Sequence, residues 1–556
     1  MRFILAILFA LIAVPAQADS IIHNFVSSAS TGNEISKFDA TGAQIDIHDG
    51  QIIQTGTCPG TDCLFTWVGT SYGCQGNPGF VQSNYGQWCG FYKTTSTDLK
   101  NWSAQSLIFP TAPYASECSP TLSVGGAVSC WNFRLIYNAS SGLWVGWFHD
   151  GGKTPSVQVV TCTGLATGCT RSGTPAITTG TDIGSINLFV DTGGTAYIVF
   201  TTPSGAGSSI YVQQLNSTYT DVTGSAVNVG GSGVEQPGVF KNGSTYYIVY
   251  GNNCPYCNSA NTTYSTASSM LGTWAAAGTN ISTNSCYGQP EQVNTFTING
   301  SPVYLYQVDQ YQPNNNLSQG QANTYLEQLS FTGAAINNIG CNTTTTIANL
   351  TEVPNPVPAY DQGDITSDFN TYCDIKASTW RMQTFVPTIS VIGSVNVTAL
   401  QGAGTGFGDS SCNYGSTTCA LPNGNLTIGL YNTSGGVPTT AIASATFTTA
   451  QVAWSGRVLT IPMNATVTPG NTYAIVLKGT NTQQCYGMAY NDSLPFTGGV
   501  EAYSTNNGST WTTESTRSLK FYVSAPTASG PGHFPFHRAD NDNQEFFADV
   551  RRASFP

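Results

Sequence analysis

The chain predicts an all-β protein, a five-bladed β-propeller followed by a β-sandwich, and three observations predict it. Residues 40 to 345 consist of short runs with period-two alternation, separated by Gly, Asn, Ser and Thr turns, with no long amphipathic helical pattern. Five segments are weak copies of one hairpin: Leu64 to Tyr72, Arg134 to His149, Asn187 to Thr201, Pro237 to Gly251 and Thr295 to Val308. Each is an apolar strand, a polar turn containing Gly or Asn, and an aromatic strand, the repetition expected of propeller blades. Finally, a Pro-rich interval within residues 350–368 ends that pattern, and a second strand-rich stretch begins at Phe369 with runs such as NLTIGLY, VLTIP and TYAIVL.

Taken in order, the chain opens with MRFILAILFALIAVPAQADS, in which Arg2, an apolar run from Phe3 to Val14 and Ala16-Gln17-Ala18 form a secretory signal peptide over residues 1–18. The expected organisation is then a propeller over 19–349, a linker over 350–368, a sandwich over 369–525 and a C-terminal tail over 526–556 without strand periodicity. Through Gln383-Thr384-Phe385, Pro469-Gly470-Asn471-Thr472-Tyr473-Ala474 and Asn506-Asn507-Gly508-Ser509-Thr510-Trp511 the sandwich resembles jelly-roll modules of secreted bacterial proteins, which implies a candidate carbohydrate-binding module, with a structural or docking role as the alternative. No later stretch holds the roughly 18 unbroken apolar residues that span a bilayer. The expectation is an exported, soluble monomer, extracellular or periplasmic.

Composition narrows the partners. The net charge is −12 with only 17 Lys plus Arg, which argues against nucleic acid and anionic membrane, since both require a basic footprint. A neutral polymer fits better: 10 Trp and 27 Tyr in a chain with 8% charged residues suit pyranose rings, whose apolar faces stack on flat aromatics. Sixteen Cys in an exported chain read as disulfides, with Cys58–Cys63, Cys74–Cys89, Cys118–Cys130, Cys162–Cys169 and Cys412–Cys419 as short-loop pairs. Cys254 and Cys257 have CxxC spacing but lack the further ligands of a zinc knuckle.

The chemistry is organised around VEQPGVFKNGSTYYIVY, residues 234 to 250, where one acid, Glu235, precedes two strand-like runs joined by Lys241-Asn242-Gly243-Ser244. A carboxylate at the start of an innermost strand projects toward the propeller axis; the alternative is a solvated loop acid. Asp46, Asp49 and Glu291 are the ordinary carboxylates available as its partner, and period-two geometry puts Asp46 and His48 on one strand face with Asp49 on the other. His48 and His149 are candidates for the pocket, against the usual reading of a lone His as a satisfied core residue. Among aromatics, Trp88 and Trp131 stand next to a Cys and are the favoured sugar contacts, with Tyr311 as a further candidate; Trp67, Tyr72 and Trp147 are weighed as core.

Several stretches together resemble glycoside hydrolase family 43, in particular its exo-β-1,3-galactanase branch. They are QIDIHDGQI (44 to 52), TTSTDLKNW (94 to 102), Leu135 to His149, LFVDTGGTAY (188 to 197), Val234 to Lys241 and Glu291 to Asn294, covering roughly residues 40 to 312. The resemblance implies a five-bladed propeller that cleaves glycosidic bonds with inversion, an acid protonating the leaving oxygen and a second group activating water. By this resemblance Glu235 is the general acid and Gln292 orients the water; read from the residues themselves, a first-blade Asp46 or His48 is the other candidate for handling water, and Asp49, Trp88, Trp131, His149, Glu291 and Tyr311 are the candidate substrate contacts. The resemblance also implies a central His near a calcium ion or a water; no ligand loop with recognisable spacing accompanies it, and no metal is assigned. Where the branch carries Glu-Arg-Pro-Lys this chain has Trp131-Asn132-Phe133-Arg134, and Gly184-Ser185 stands where the branch has an Arg-Asp pair. Glu117 and Asp182 are the nearest acids to those positions. The function expected is hydrolysis of β-galactan side chains of plant-type polysaccharide. The alternatives are an arabinofuranosidase or xylosidase of the same family, an inactive glycan-binding propeller, and a surface protein in which the sandwich carries the function.

Overall fold

The structure, a computed structural model, describes residues 19–24, 26, 34–73, 88–108, 118, 130–150, 157–177, 183–202, 208–252, 260–275, 278–310, 320, 322–354, 359–365, 369–402, 422–453, 455–492 and 494–526. Among them the fold is all-β.

Five antiparallel sheets follow one another in chain order. The first comprises His48–Thr55, Leu64–Ser71, Gly90–Ser96 and Ser106–Leu107. The second holds Cys130–Asn138, Leu143–Asp150, Val157–Gly164 and Thr167–Gly173, and the third Ile186–Val190, Ala196–Thr201, Ile210–Leu215 and Val222–Gly230. The fourth has Val234–Asn242, Thr245–Asn252, Thr262–Ala267 and Thr279–Ser282, and the fifth Gln289–Ile298, Ser301–Gln310 and Asn323–Gln328. The leading strand of each sheet packs against the leading strand of the next, and that of the fifth returns to that of the first, so the five form a closed ring.

Apolar layers between neighbouring sheets hold the ring together, and the alternation of the aromatic second strands builds them. In Thr245–Asn252, Tyr246, Ile248 and Tyr250 face the third sheet with Val199, Ile210 and Val239, while Tyr247 and Val249 face the fifth with Tyr304 and Tyr306. One strand therefore feeds two cores, which is why these strands carry aromatics on both faces. Ile22 and Ile347 close the ring by joining Phe65, Trp67, Phe296 and Leu305 between the fifth and first sheets. Their strands, Ser20–His23 and Thr344–Ile347, pair antiparallel beside the fifth sheet, with Asn24 Nδ2 donating to the Leu326 carbonyl at 2.8 Å.

The C-terminal half builds two further sheets, of eight and six strands, across a core that includes Phe385, Val395, Val397, Leu430, Ile475 and Phe521. The eight-stranded sheet takes in Glu34–Ser36, paired with Phe369–Ile375, so the segment before the ring is woven into the second unit. Within the stretch expected to be linker, Gln362–Asp364 pairs with Phe521–Ser524 as a strand of that sheet.

Three of the short-loop disulfides form as expected, Cys58–Cys63, Cys118–Cys130 and Cys162–Cys169. Cys74, Cys254, Cys257, Cys412 and Cys419 lie outside the described residues. Two long-range pairs, Cys286–Cys341 and Cys373–Cys485, were not foreseen. The latter joins neighbouring strands across a sequence separation of 112, so its removal restores much chain entropy to the unfolded state. The double substitution Cys373→Ala/Cys485→Ala is expected to destabilise the second unit by about 2–5 kcal/mol. Urea unfolding followed by Trp fluorescence checks this; an unchanged midpoint contradicts it.

Candidate active site

The ring has one end where the leading strands begin, and the sequence bends these beginnings inward by a repeated device. Register slips occur between His48 and Gln51, Trp131 and Arg134, Glu235 and Gly238, and Pro290 and Gln292, so four of the five leading strands open on a β-bulge. In three of them a non-glycine residue just inside the bulge has positive φ: Asp49 (51°), Asn132 (53°) and Gln236 (51°). A bulge adds a residue to one strand and breaks the strict in-out alternation, so successive side chains can serve the same cavity. Gly50 makes this possible in the first sheet, because a Cβ there would lie 1.9 Å from the Val68 carbonyl oxygen. The period-two expectation that Asp49 faces away from Asp46 and His48 is thereby corrected: the Asp49 carboxylate accepts from the hydroxyl of Tyr72, whose amide donates to Asp46, and lies within 4.8 Å of the Asp309 carboxylate, whose Oδ2 is 3.9 Å from His48 Nδ1.

Hydrogen bonds across the axis tie the five beginnings together. Arg134, fully buried on the second sheet, donates to the Asp49 carbonyl of the first and the Glu291 carbonyl of the fifth, and its guanidinium lies 3.9 Å from the Glu291 carboxylate. Asn132 donates to Gln236 Oε1 of the fourth sheet at 3.2 Å and accepts from Ile186 N of the third. Gln289, which opens the fifth sheet, donates its amide to Glu235 Oε2 at 2.9 Å. Glu235 is 6% exposed, so the solvated-loop alternative does not hold.

The strongest electrostatic feature is the pair Asp46–His48, both fully buried, with Nε2 3.1 Å from Asp46 Oδ1. Burial alone would lower the His48 pKa, but Asp309 and Asp46 on either side outweigh it and raise it to about 10, so the ring is an imidazolium. Burial alone would raise Asp46; His48, Arg457 and the Tyr72 amide bring it down to about 2. Asp46 also accepts from Ser71 Oγ, Tyr72 N and Gly73 N at 2.7, 3.0 and 2.8 Å. A carboxylate this acidic and this fully engaged does not take a proton from water, and an imidazolium has no lone pair to do so. The expected water-handling role of Asp46 or His48 becomes one of holding the site in place.

The remaining predicted residues separate clearly. Gln292 forms a reciprocal amide pair with Asn187, at 2.9 and 3.1 Å; Gln289, three residues earlier and not singled out from the sequence, is the one that donates to Glu235. Only the register of the bulge at Pro290 distinguishes the two. Glu291 is buried near Asp49 and Asp309, with one oxygen of each within 4.8 Å of the others. His149 is a positioning group: its Nε2 lies 2.9 Å from the Ile183 carbonyl, and its ring stacks on Trp131 with centroids 3.7 Å apart. Trp131 is half-buried at the start of the second sheet, whereas Trp88 is 7% exposed and packs edge-on against Phe91 in the core, which corrects its reading as a sugar contact. Trp67 and Trp147 are core, and the buried Tyr72 hydroxyl binds Asp49. Tyr311, Glu117 and Asp182 lie outside the described residues.

Donation by Gln289 to the Glu235 carboxyl is a hydrogen bond that orients the acid, worth about 0.5–1.5 kcal/mol. Gln289→Ala is therefore expected to reduce turnover about 2- to 10-fold with little change in folding. Gln292→Ala, which strands the Asn187 amide, is expected to act on thermal stability first. Steady-state rates beside melting curves separate the two; equal effects of both substitutions on rate contradict the assignment.

Asp49, Glu291 and Asp309 are the group to hold a hard cation if any does among the described residues. The fit is poor. Their oxygens already accept from Tyr72, Asp49 N and Thr324, and Arg134 and the His48 imidazolium compensate their charge. A calcium ion needs six to eight oxygen ligands free to converge on it.

No protein-family model matches the sequence, and no curated protein matches it. Similar solved structures include the exo-β-1,3-galactanase of Phanerochaete chrysosporium with β-1,3-galactotriose, at 17% identity over 84% of this chain and 100% of that one, with a TM-score of 0.45. The exo-β-1,3-galactanase of Clostridium thermocellum is similar at 15% identity over 90% and 96%, with a TM-score of 0.46. A β-1,3-galactosidase of glycoside hydrolase family 43 with galactodeoxynojirimycin is similar at 18% identity over 56% and 97%, with a TM-score of 0.43.

Proposed function

We propose that the chain is a secreted glycoside hydrolase acting on β-1,3-linked galactan, its ring of five sheets a five-bladed propeller that carries the active site and its second unit a β-sandwich. The observation that carries this reading is Glu235, a buried acid at the start of the fourth leading strand, oriented by Gln289, in a ring whose first and fifth sheets bring together the buried carboxylates Asp49, Glu291 and Asp309.

The chemistry follows from the parts. Glu235 protonates the glycosidic oxygen as the bond to the anomeric carbon breaks. On the opposite face the oxygen of a water forms the new bond to the anomeric carbon while its proton goes to a carboxylate, a role this reading gives to Asp49. It is 3% exposed while Glu291 and Asp309 are fully buried, and a hydrogen bond from Tyr72 to its Oδ2 fixes its direction. Arg134 spans the first and fifth sheets and holds Asp49 and Glu291 in register. Trp131, braced by His149, presents an aromatic platform for a pyranose ring. An inverting mechanism places the two carboxyl groups about 6.5–9.5 Å apart. The choice of galactan rests on the sequence resemblance, and export rests on the leader-like first 18 residues together with disulfides suited to an oxidising compartment.

The test is reducing-sugar release by the purified chain from β-1,3-galactan, arabinogalactan, arabinan and xylan, with proton NMR of the first anomer formed. The expected result is α-galactose from β-1,3-galactan. Release from arabinan or xylan alone replaces the substrate by that of an arabinofuranosidase or xylosidase. Binding without release from any polymer leaves a glycan-binding propeller.

A further inference from the structure

The joint between the two units lies against the candidate site. Gln44 N donates to the Gly456 carbonyl at 2.7 Å, and Gly456 N returns a bond to Gln44 Oε1 at 3.0 Å. Next to this bridge Arg457 divides its guanidinium: Nη1 donates to the Gln44 carbonyl at 2.7 Å, and Nη2 lies 3.5 Å from Asp46 Oδ2. Ser455 Oγ stands 3.4 Å from that same carboxylate oxygen and 3.2 Å from the Gly73 carbonyl. The approach is close enough to need glycine on the ring side, because a Cβ on Gly73 would sit 2.5 Å from Ser455 Oγ and 2.9 Å from Asp46 Oδ2.

We infer that the second unit is a working part of the candidate active site: Ser455 and Arg457 are positioning residues that fix Asp46, and through it His48 and the start of the first leading strand. The reason lies in the position of Asp46. It precedes the bulge that places Asp49, it gathers the Ser71, Tyr72 and Gly73 segment, and its Oδ2, which accepts from Ser71 and Gly73 of the ring, is also approached by Ser455 and Arg457 of the second unit. A carbohydrate-binding appendage on a flexible tether makes no such contact. Here the fork geometry of arginine joins the ring backbone to its buried acid, which a lysine cannot do with one ammonium group. The inference rests on the hydrolase reading for its kinetic readout alone.

The experiment compares full-length wild type with Arg457→Ala, Arg457→Lys and Ser455→Ala by hydrogen exchange of the peptides covering 44–51 and 69–73, with steady-state kinetics on β-1,3-galactan alongside. The Tyr72 and Gly73 amides donate to Asp46, so Arg457→Ala is expected to speed their exchange about tenfold, with Arg457→Lys intermediate, while peptides of the fourth sheet keep wild-type protection. Turnover is expected to fall about tenfold at a KM within twofold of wild type, as for a small displacement of a catalytic group. Unchanged exchange in 44–51 and 69–73 for both Arg457→Ala and Ser455→Ala overturns the inference, whatever the rates. Faster local exchange in a chain that hydrolyses none of the polymers supports the positioning role while the hydrolase reading fails.

Discussion

Glu235→Gln is expected to lower turnover of β-1,3-galactan by about 10² to 10⁴-fold, the range lost when a positioned general acid is removed. The substitution is close to isosteric, and Gln289, which donates to Glu235 Oε2 at 2.9 Å, can turn its own amide to pair with the new one. Folding and substrate affinity should therefore stay near wild type while the proton source is gone. Substrates whose leaving group needs no protonation, such as aryl galactosides with acidic phenols, should lose much less. Unaltered turnover on galactan, or an equal loss on both substrate types, would refute the role of Glu235 as acid.

The second large effect is on stability. Asp46→Ala removes one of the two carboxylates flanking a buried imidazolium and strands the Ser71, Tyr72 and Gly73 donors, and breaking such a buried pair costs about 3–5 kcal/mol. Its pH dependence has a definite sign. Asp46 is lowered from 3.8 to about 2, so its contribution is complete above 3.8 and is lost as the pH falls through 2. His48 is raised from 6.5 to about 10, so its contribution is complete below 6.5 and is lost as the pH rises through 10. The gap between wild type and variant should thus be widest between about pH 4 and 6.5 and narrow on both sides. Denaturant unfolding at pH 3, 5.5 and 9 measures it, and a gap that does not narrow between pH 5.5 and pH 9 would show that His48 is neutral in the fold.

Much of this was legible because local rules suffice for it. Tyr246 to Tyr250 alternates with period two between two cores, so the repeated hairpins could be read as sheets of a ring from residue types alone. Glu235 stands where a leading strand begins, which the Pro and the Asn-Gly turn after it mark out. Cys58–Cys63, Cys118–Cys130 and Cys162–Cys169 close loops short enough to see. Cys373–Cys485 is not readable in this way, because the strands it joins are neighbours only through the sheet order.

By itself the amino-acid sequence determined the all-β character, the succession of hairpins, the poverty of basic charge and the place of one carboxyl residue, Glu235, at the head of the fourth sheet. These depend on alternation, turn chemistry and composition, each of which acts over a few residues. Only the tertiary structure decided that Gln289 rather than Gln292 meets Glu235, that Asp49 joins Asp309 and His48, and that Arg457 of the second unit reaches Asp46. A bulge shifts register by one residue and thereby changes which side chains share a cavity, while a contact across 411 positions depends on how two units pack. No pattern along the chain encodes either.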